Sequence, residues 1–214
     1  RNAARSGEEF RVAIEVQLPE GVHVNSNEPR DSLLIPVVLT VHPPSGVSVL
    51  EVTYPEATDL EGYLFPETYS LPRDATADDL VEAMVAQFER SFDDELRERA
   101  AARELSVREV VTLASLIQRE TGLDEERPLV SAVYNNRLAR RMPLQCDPTV
   151  IYALQLAGLY DGNLTRENLR FDSPYNTYVH PGLPPGPIAA PGATDLQAAL
   201  EPADVSHLYF VSRN

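Results

Sequence analysis

The sequence predicts an α+β protein in which a short all-β segment precedes a larger, helix-rich part. Strand-like alternation occupies the first 55 residues, and amphipathic helical patterns dominate from Thr76 onward. The two patterns meet near residue 56, so we divide the chain into segments 1–56 and 57–214. A chain of 214 residues is long enough to bury a core as one large domain or two small ones.

The composition narrows the classes of partner and cofactor. Lys and Arg total 18 against 33 Asp and Glu, a formal net charge of −15. Such a surface disfavours nucleic acid and anionic membrane, because phosphate binding needs a positive field. The single cysteine, Cys146, excludes an internal disulfide or a thiolate-rich cage, and the four histidines lack metal-ligand spacing. We therefore expect no metal and no cofactor.

No apolar run is long enough to span a membrane. Because Arg1 is an unusual first residue, we expect that a leader or an anchor was removed from the chain.

Three stretches in the first segment predict strands. Residues 10–18 alternate between apolar and polar side chains, which is typical of a half-buried strand. Residues 36–42 and 47–54 show a similar pattern and are joined through the turn-forming residues 43–46. Together they form an all-β pattern, like part of a sandwich.

Two capping patterns mark helix starts in the second segment. Thr76 with Asp79 precedes a helix with apolar residues on one face, and Ser106 with Glu109 forms a capping box before another. Gly122 predicts a glycine stop for this second helix. The second helix has an apolar arc of Val110, Leu113, Ala114, Leu116 and Ile117, and its opposite side carries Thr112, Ser115 and Arg119.

Glu120, the last residue before the stop, falls inside that apolar arc. Burial and the negative end of the helix dipole both disfavour a carboxylate, so both raise the pKa of Glu120. A raised pKa suits a carboxyl group that must hold a proton near neutral pH. The alternative is a core ion pair with Arg127 or Arg137, and the spacing alone does not decide between the two.

The rest of the chain predicts two helices, a loop and a strand. Residues 127–141 form a helix with a mostly apolar face, and residues 142–154 turn at Asp147-Pro148 into a short helix. Residues 173–192, rich in proline and glycine, are either a linker or an ordered loop that presents aromatic and amide groups to a ligand. Residues 207–212 have the pattern of a strand.

Six motifs occur in series: LEGYLFPETY (60–69), ASLIQRETG (114–122), ERPLVSAVYNNRL (126–138), MPLQCDPTVIY (142–152), DSPYNTYVHPGLPPGPIAAPG (172–192) and LYFVS (208–212). Together they resemble the MltG-type (YceG-like) endolytic murein transglycosylases over about residues 57–214. The resemblance implies an enzyme at the periplasmic face of the bacterial inner membrane. Such an enzyme cuts the β-1,4 bond between N-acetylmuramic acid and N-acetylglucosamine in peptidoglycan and leaves 1,6-anhydro ends.

The resemblance also implies site residues. The family's catalytic glutamate lies in a Glu-x-Glu-Thr-like element whose second acidic position is Glu120, while the first is Gln118 here. The candidates for holding the glycan are Gln145, Asp147, Tyr175, Asn176 and Tyr178, with Asn136 and Glu61 as weaker candidates. Asp147 has the alternative role of a helix cap, and Glu61 that of a structural hydrogen-bond partner. Cys146 is expected to be an ordinary small residue.

A lone glutamate is enough for this chemistry, because the muramyl 6-hydroxyl replaces an external nucleophile. No motif ties a second catalytic acid to Glu120. The expected partners are peptidoglycan glycan strands and peptidoglycan synthases, with no nucleic acid. Two alternatives stay open: a hydrolytic muramidase, and a non-catalytic periplasmic binding module.

Both ends of the chain depart from this family. Residues 8–56 are similar to the start of the N-terminal periplasmic domain of the thiol:disulfide interchange protein DsbD, which implies a partial immunoglobulin-like fold. They contain no cysteine, so no redox function is implied. The chain also ends earlier than family members do, which predicts a truncated catalytic domain. The combination is compatible with a natural fusion, an assembly artefact or an engineered chimera.

Overall fold

The computed structural model describes residues 60–211. The predicted strands at 10–18, 36–42 and 47–54, the boundary near residue 56 and the DsbD-like segment lie outside the described residues. The described part is helical and contains no strand. Its helices are α1 (Ala77–Ser91), α2 (Asp94–Ala102), α3 (Val107–Glu120), α4 (Arg127–Ala139), α5 (Asp147–Leu156), a short 3-10 helix (Asn168–Arg170) and α6 (Ala193–Leu200).

Helix α3 is the centre of the fold. It contacts α2, α4, α5 and α6, and all its residues from Val110 to Ile117 are buried. Thr112 and Ser115, predicted on the side of α3 opposite its apolar arc, are therefore buried as well. Burial is tolerated because the Ser115 hydroxyl donates to the Thr112 carbonyl at 2.7 Å and accepts from the Ile188 amide at 3.0 Å.

Both predicted capping boxes are present. The Thr76 hydroxyl accepts from the Asp79 amide at 3.2 Å, and the Ser106 hydroxyl accepts from the Glu109 amide at 3.3 Å. Each acidic partner accepts from the backbone of its cap residue in return, and these hydrogen bonds lower the pKa of both carboxyl groups. The sequence therefore locates the starts of α1 and α3 correctly.

The position predicted for the end of α3 is correct, but the predicted glycine stop at Gly122 is wrong. The helix ends at Glu120, and Thr121 enters an extended conformation with φ −145°. Gly122 is not among the glycines with positive φ, so it forms no left-handed stop. Instead, the buried Thr121 hydroxyl donates to a Glu126 carboxylate oxygen at 2.8 Å.

Residues 173–192 form an ordered loop against α3 rather than a linker. Arg108 Nε donates to the Pro185 carbonyl at 3.0 Å, near the start of the helix. Gln118 Nε2 donates to the Ala190 carbonyl at 2.9 Å, near its end. The loop thus runs along α3 toward the turn that carries Glu120.

The strand predicted at 207–212 is wrong for residues 207–211, the part that the structure describes. Its carbonyl groups bond to side chains of α4 instead of a neighbouring strand. Asn136 Nδ2 donates to the carbonyls of Val205 and His207 at 2.8 and 2.9 Å, and Arg137 Nε donates to the Leu208 carbonyl at 2.7 Å. The alternating side chains here therefore mark a segment that side chains of α4 hold through its carbonyl groups.

Within residues 60–211, no helix has both the length and the apolar character needed to cross a membrane.

Gly62, in the motif at 60–69, has φ +87° and packs where no side chain fits. A Cβ atom at Gly62 would lie 2.4 Å from Pro187 Cγ in the loop and 2.8 Å from Val111 Cγ1 in α3. The glycine therefore lets three separate parts of the chain meet.

Replacing Gly62 with alanine should lower the free energy of unfolding by roughly 2–4 kcal/mol, because it combines left-handed strain with overpacking. The matched control is Gly162→Ala, where φ is +95° and a Cβ atom would meet nothing within 4 Å. The control should lose only about 1–2 kcal/mol, from strain alone. Urea denaturation of both variants measures the difference, and equal losses would show that the close contact is unimportant.

Candidate active site

Three elements bring polar side chains together around Glu120. The glutamate is half-buried at the end of α3, Tyr134 comes from α4, and Cys146 directly precedes α5. Tyr134 Oη donates to Glu120 Oε1 at 2.6 Å. Tyr134 and Cys146 are 1% and 0% exposed, so solvent does not reach the carboxyl group from the side of these two residues.

Burial raises the pKa of Glu120, and the negative charge of Asp147 adds to this effect. Hydrogen-bonding interactions with Tyr134 and Cys146, and the more weakly acting charge of Arg137, lower it without reversing the shift. The position at the C-terminus of α3 acts in the same direction as burial. Glu120 therefore keeps its proton to a higher pH than an exposed glutamate, as the sequence predicts.

The alternative core ion pair is wrong. Arg127 pairs with Asp124 and, through Nε at 2.6 Å, with Asp195. The Arg137 guanidinium is used by backbone carbonyls, including that of Leu144 at 2.6 Å. Among the described residues, no ion pair includes Glu120.

Tyr134 and Cys146 are the site residues that the sequence reasoning missed. Tyr134 belongs to the apolar face of α4, and Cys146 has the size of an ordinary core residue. Burial raises the pKa of the Tyr134 hydroxyl and of the Cys146 thiol well above their usual values, so both groups stay protonated and can donate hydrogen bonds. A signal for Tyr134 was available, because a buried tyrosine hydroxyl normally needs an acceptor.

A threonine network fixes the backbone at Cys146. The Cys146 amide donates to Thr177 Oγ1 at 3.0 Å, and Thr149 Oγ1 donates to the Cys146 carbonyl at 2.7 Å. The two threonine hydroxyls are 2.9 Å apart, so they also share a hydrogen bond. This network joins the start of α5 to the loop at 173–192.

Asp147 is not a helix cap. Helix α5 begins at Asp147, its cap residue is Cys146, and no side chain caps it. Asp147 Oδ1 instead accepts from Tyr178 Oη at 2.5 Å. Burial and this hydrogen bond raise the pKa of Tyr178, so its hydroxyl stays protonated and donates.

The neighbouring loop residues have different placements. Asn176 is 0% exposed, and its Nδ2 donates to the carbonyls of Phe171 and Leu169 at 2.7 and 3.2 Å. Its amide thus ties the loop to the residues that precede it and does not face the surface. The Tyr175 ring lies 4.7 Å from the Tyr152 ring and packs against the core.

Gln145 is a predicted ligand-binding residue that is open to solvent next to the cluster. It is exposed between two fully buried residues, with φ +51°. Its amide donates to the Thr177 carbonyl at 3.2 Å. A positive φ in a non-glycine residue is strained and needs support from neighbouring groups. The threonine network adjacent to Gln145 provides neighbours of this kind.

Asn136 and Glu61 lie in other settings. Asn136 holds the C-terminal segment through the two hydrogen bonds given above, and Glu61 is half-buried in the turn at 60–63. The direct glycan contacts of all the candidate residues stay predictions. Across residues 60–211, no group of three or more His, Cys, Asp and Glu residues is arranged to hold a metal ion.

The model of the YceG-like family matches residues 8–214. This chain belongs to the YceG-like family. The family match confirms the resemblance carried by the six motifs, and it also includes most of segment 1–56. The described helical part is correspondingly similar to the crystal structure of a yceG-like protein from Listeria monocytogenes, with a TM-score of 0.65 and 39% identity. That likeness covers 72% of this chain and 49% of the crystallised one.

Two curated relatives carry the name endolytic murein transglycosylase. The Bacillus subtilis (strain 168) protein is 40% identical over 156 residues, which are 72% of this chain and 42% of the relative. The Streptococcus pneumoniae (serotype 2, strain D39) protein is 35% identical over 156 residues and is covered to 28%. The chain thus spans less than half the length of these relatives.

The shifted pKa of Glu120 predicts how stability depends on pH. Because the folded state holds this proton above pH 4.5, where an ordinary glutamate releases it, the unfolded state binds fewer protons in that window. The contribution of Glu120 to stability therefore falls as the pH rises from 4.5 through the folded-state pKa. In the Glu120→Gln variant, this loss should be absent.

Thermal unfolding between pH 4 and pH 8 tests this expectation. The Tm of Glu120→Gln minus that of the parent should rise by roughly 2–4 °C from pH 4 to pH 8. This rise corresponds to about 1 kcal/mol for a chain of this size. The exposed Glu125 provides the control, and Glu125→Gln should follow the parent curve. A constant difference between parent and Glu120→Gln would contradict a raised pKa.

Proposed function

We propose that this chain is the catalytic part of an endolytic lytic transglycosylase that cuts the β-1,4 bond between N-acetylmuramic acid and N-acetylglucosamine. The observation that carries the proposal is the half-buried Glu120 carboxyl group, held by Tyr134 and shifted toward its protonated form. A carboxyl group whose pKa is raised in this way is suited to act as a general acid. The names of the relatives supply the substrate class.

The reaction needs one carboxyl group in two successive roles. Protonated Glu120 donates to the glycosidic oxygen as the bond from the muramyl anomeric carbon breaks. The resulting carboxylate accepts the proton of the 6-hydroxyl on the same sugar, and that oxygen forms the new bond to the anomeric carbon. The products are a free 4-hydroxyl and a 1,6-anhydro end, and no water is consumed.

Tyr134 suits this double role. Its hydroxyl donates to Oε1, which leaves Oε2 to carry the transferred proton. Burial keeps the tyrosine protonated, so it donates in both protonation states of the glutamate. Since Tyr134 is buried, the oxygen that it binds is held in one orientation throughout the reaction.

The glycan would bind on the side that Gln145, Asp147 and Tyr178 share. Gln145 and Asp147 flank Cys146 in the chain and are exposed, while Tyr178 contacts Asp147. Amide and carboxylate groups can bond to N-acetyl and hydroxyl groups of a sugar, and a tyrosine ring can pack on its apolar face. Asn176 would support this surface from beneath rather than contact the sugar.

Since peptidoglycan lies outside the cytoplasm, we place the activity at the periplasmic face of the inner membrane. Glycan strands are the substrate in this proposal, and enzymes that synthesise new strands are the natural partners of an activity that cuts them internally.

Glu120→Gln should reduce cleavage of purified peptidoglycan by at least about 100-fold, the usual scale for a general acid. The glutamine keeps the size of the side chain and an acceptor for Tyr134, but it has no proton to transfer. The control is Glu125→Gln, which removes the same charge from an exposed position and should keep parental activity. Mass spectrometry of the released muropeptides quantifies the products.

The product masses separate the possible reactions. Fragments that lack one water per cut support the transglycosylase, whereas reducing ends would identify a hydrolytic muramidase. Full activity in Glu120→Gln would refute the catalytic assignment. Binding of peptidoglycan without cleavage by the parent chain would favour a non-catalytic binding module.

A further inference from the structure

A cavity of about 220 Å³ lies between the end of α4 and the loop at 173–192. It is lined by Leu138, Arg141, Met142, Pro181 and Gly182. Three of these side chains are apolar and one residue is a glycine, so Arg141 supplies the charge of the lining. A small apolar group with an anion beside it would therefore match this cavity.

The cavity and the proposed glycan surface are formed by the same two segments of the chain. Met142 lies three residues before Gln145, and Pro181 lies three residues after Tyr178. The Gln145 amide donates to the Thr177 carbonyl at 3.2 Å, and this hydrogen bond holds the two segments side by side. A substrate bound at Gln145 and Tyr178 can therefore extend a side group toward the cavity.

Arg141 adopts a backbone conformation that favours glycine. Its φ is +54°, and it follows the cap residue of α4 as the left-handed residue of a Schellman motif. The Arg141 amide donates to the Leu138 carbonyl at 3.0 Å. The Met142 amide donates to the Arg137 carbonyl at 2.9 Å and completes the motif. An arginine is strained at a position where glycine is not, and strained residues are concentrated at functional sites.

The exposed side chain of Arg141 is available to bind a ligand. Within residues 60–211, it takes part in no ion pair and no side-chain hydrogen bond, whereas the buried guanidinium of Arg137 is bonded to backbone carbonyls. A guanidinium presents a planar set of donors that matches a carboxylate. In a chain with a formal net charge of −15, this free cation gives an anionic group a local site of attraction.

We propose that the cavity binds the peptide attached to the muramyl sugar. The methyl group of the first alanine enters the apolar part, and the carboxylate of the next residue, a glutamate, pairs with Arg141. This inference rests on the proposed function and deepens it, because it gives the peptide part of the substrate a place beside the glycan surface. The site would distinguish peptides with a free carboxylate at the second residue from amidated ones.

Arg141→Gly removes the guanidinium and relieves the strain, so the variant should fold with a Tm equal to or above that of the parent. Its KM for peptide-bearing glycan strands should rise about three- to tenfold, the scale of one charge-assisted contact, with little change in kcat. On strands from which an amidase has removed the peptides, parent and variant should have equal KM values. Initial rates, measured by chromatography of the cut strands, give both constants.

Glu104 provides the matched control, because it has φ +57° and the same position after α2. The Glu104 amide donates to the Ala101 carbonyl at 3.0 Å, and the Leu105 amide donates to the Ala100 carbonyl at 2.9 Å. Glu104 does not line the cavity. Glu104→Gly should therefore change Tm as Arg141→Gly does and keep the parental KM. A similar rise of KM in both variants would contradict the inference.

Binding of a muramyl peptide to Glu120→Gln is a readout that needs no cleavage. The probe is N-acetylmuramyl-L-alanyl-D-glutamate with its side-chain carboxyl amidated, titrated by NMR. Adding Arg141→Gly should weaken binding about three- to tenfold. Amidation of the remaining carboxylate should weaken binding equally when Arg141 is present and have no effect in its absence. Replacing the alanine of the probe with glycine should weaken binding about threefold, through the loss of one buried methyl group.

The outcomes separate this inference from the proposed function. No binding of the probe, or equal affinity with and without Arg141→Gly, overturns the inference whatever the role of Glu120. An equal rise of KM on strands with and without peptides also overturns it, since Arg141 would then contact the sugar. Loss of probe binding in Arg141→Gly together with full cleavage by Glu120→Gln supports the peptide site and overturns the catalytic assignment.

Discussion

The burial of one carboxyl group at the end of α3 is the constraint that organises this structure. An uncompensated buried carboxylate is costly, and the helix terminus adds to the cost. The fold meets this constraint with a hydrogen bond from Tyr134 and with a proton kept on the acid, not with an arginine. Acids whose pKa is perturbed by burial are concentrated at functional sites, which agrees with the acid–base role proposed for Glu120.

The surrounding architecture serves to hold that group. The loop at 173–192 is bonded along α3, and Gly62 lets the turn at 60–63 approach both the loop and the helix. The threonine pair of α5 and the loop fixes Cys146, and α4 holds the C-terminal segment through its polar side chains. The loop and the turn at 60–63 are thus both packed against α3, although they are distant from it in the chain.

The helices could be predicted from the sequence because their signals are local. Two capping boxes and the apolar periodicity locate α1 and α3, and Glu120 stands out because it breaks that periodicity. The failed predictions depend on distant partners. Ser115 looks solvent-exposed until the Ile188 amide of the loop binds its hydroxyl, and the 207–211 segment looks like a strand until α4 binds its carbonyls.

The sequence by itself determined that one glutamate lies among apolar residues at a helix end, and that its motifs match a single enzyme family. Periodicity and motif order are properties of the linear chain, so no fold is needed to read them. The tertiary structure alone decided that Tyr134 donates to that glutamate beside the buried Cys146, while Arg127 and Arg137 bond elsewhere. Electrostatic effects depend on distance in space and on burial, and neither follows from spacing along the chain.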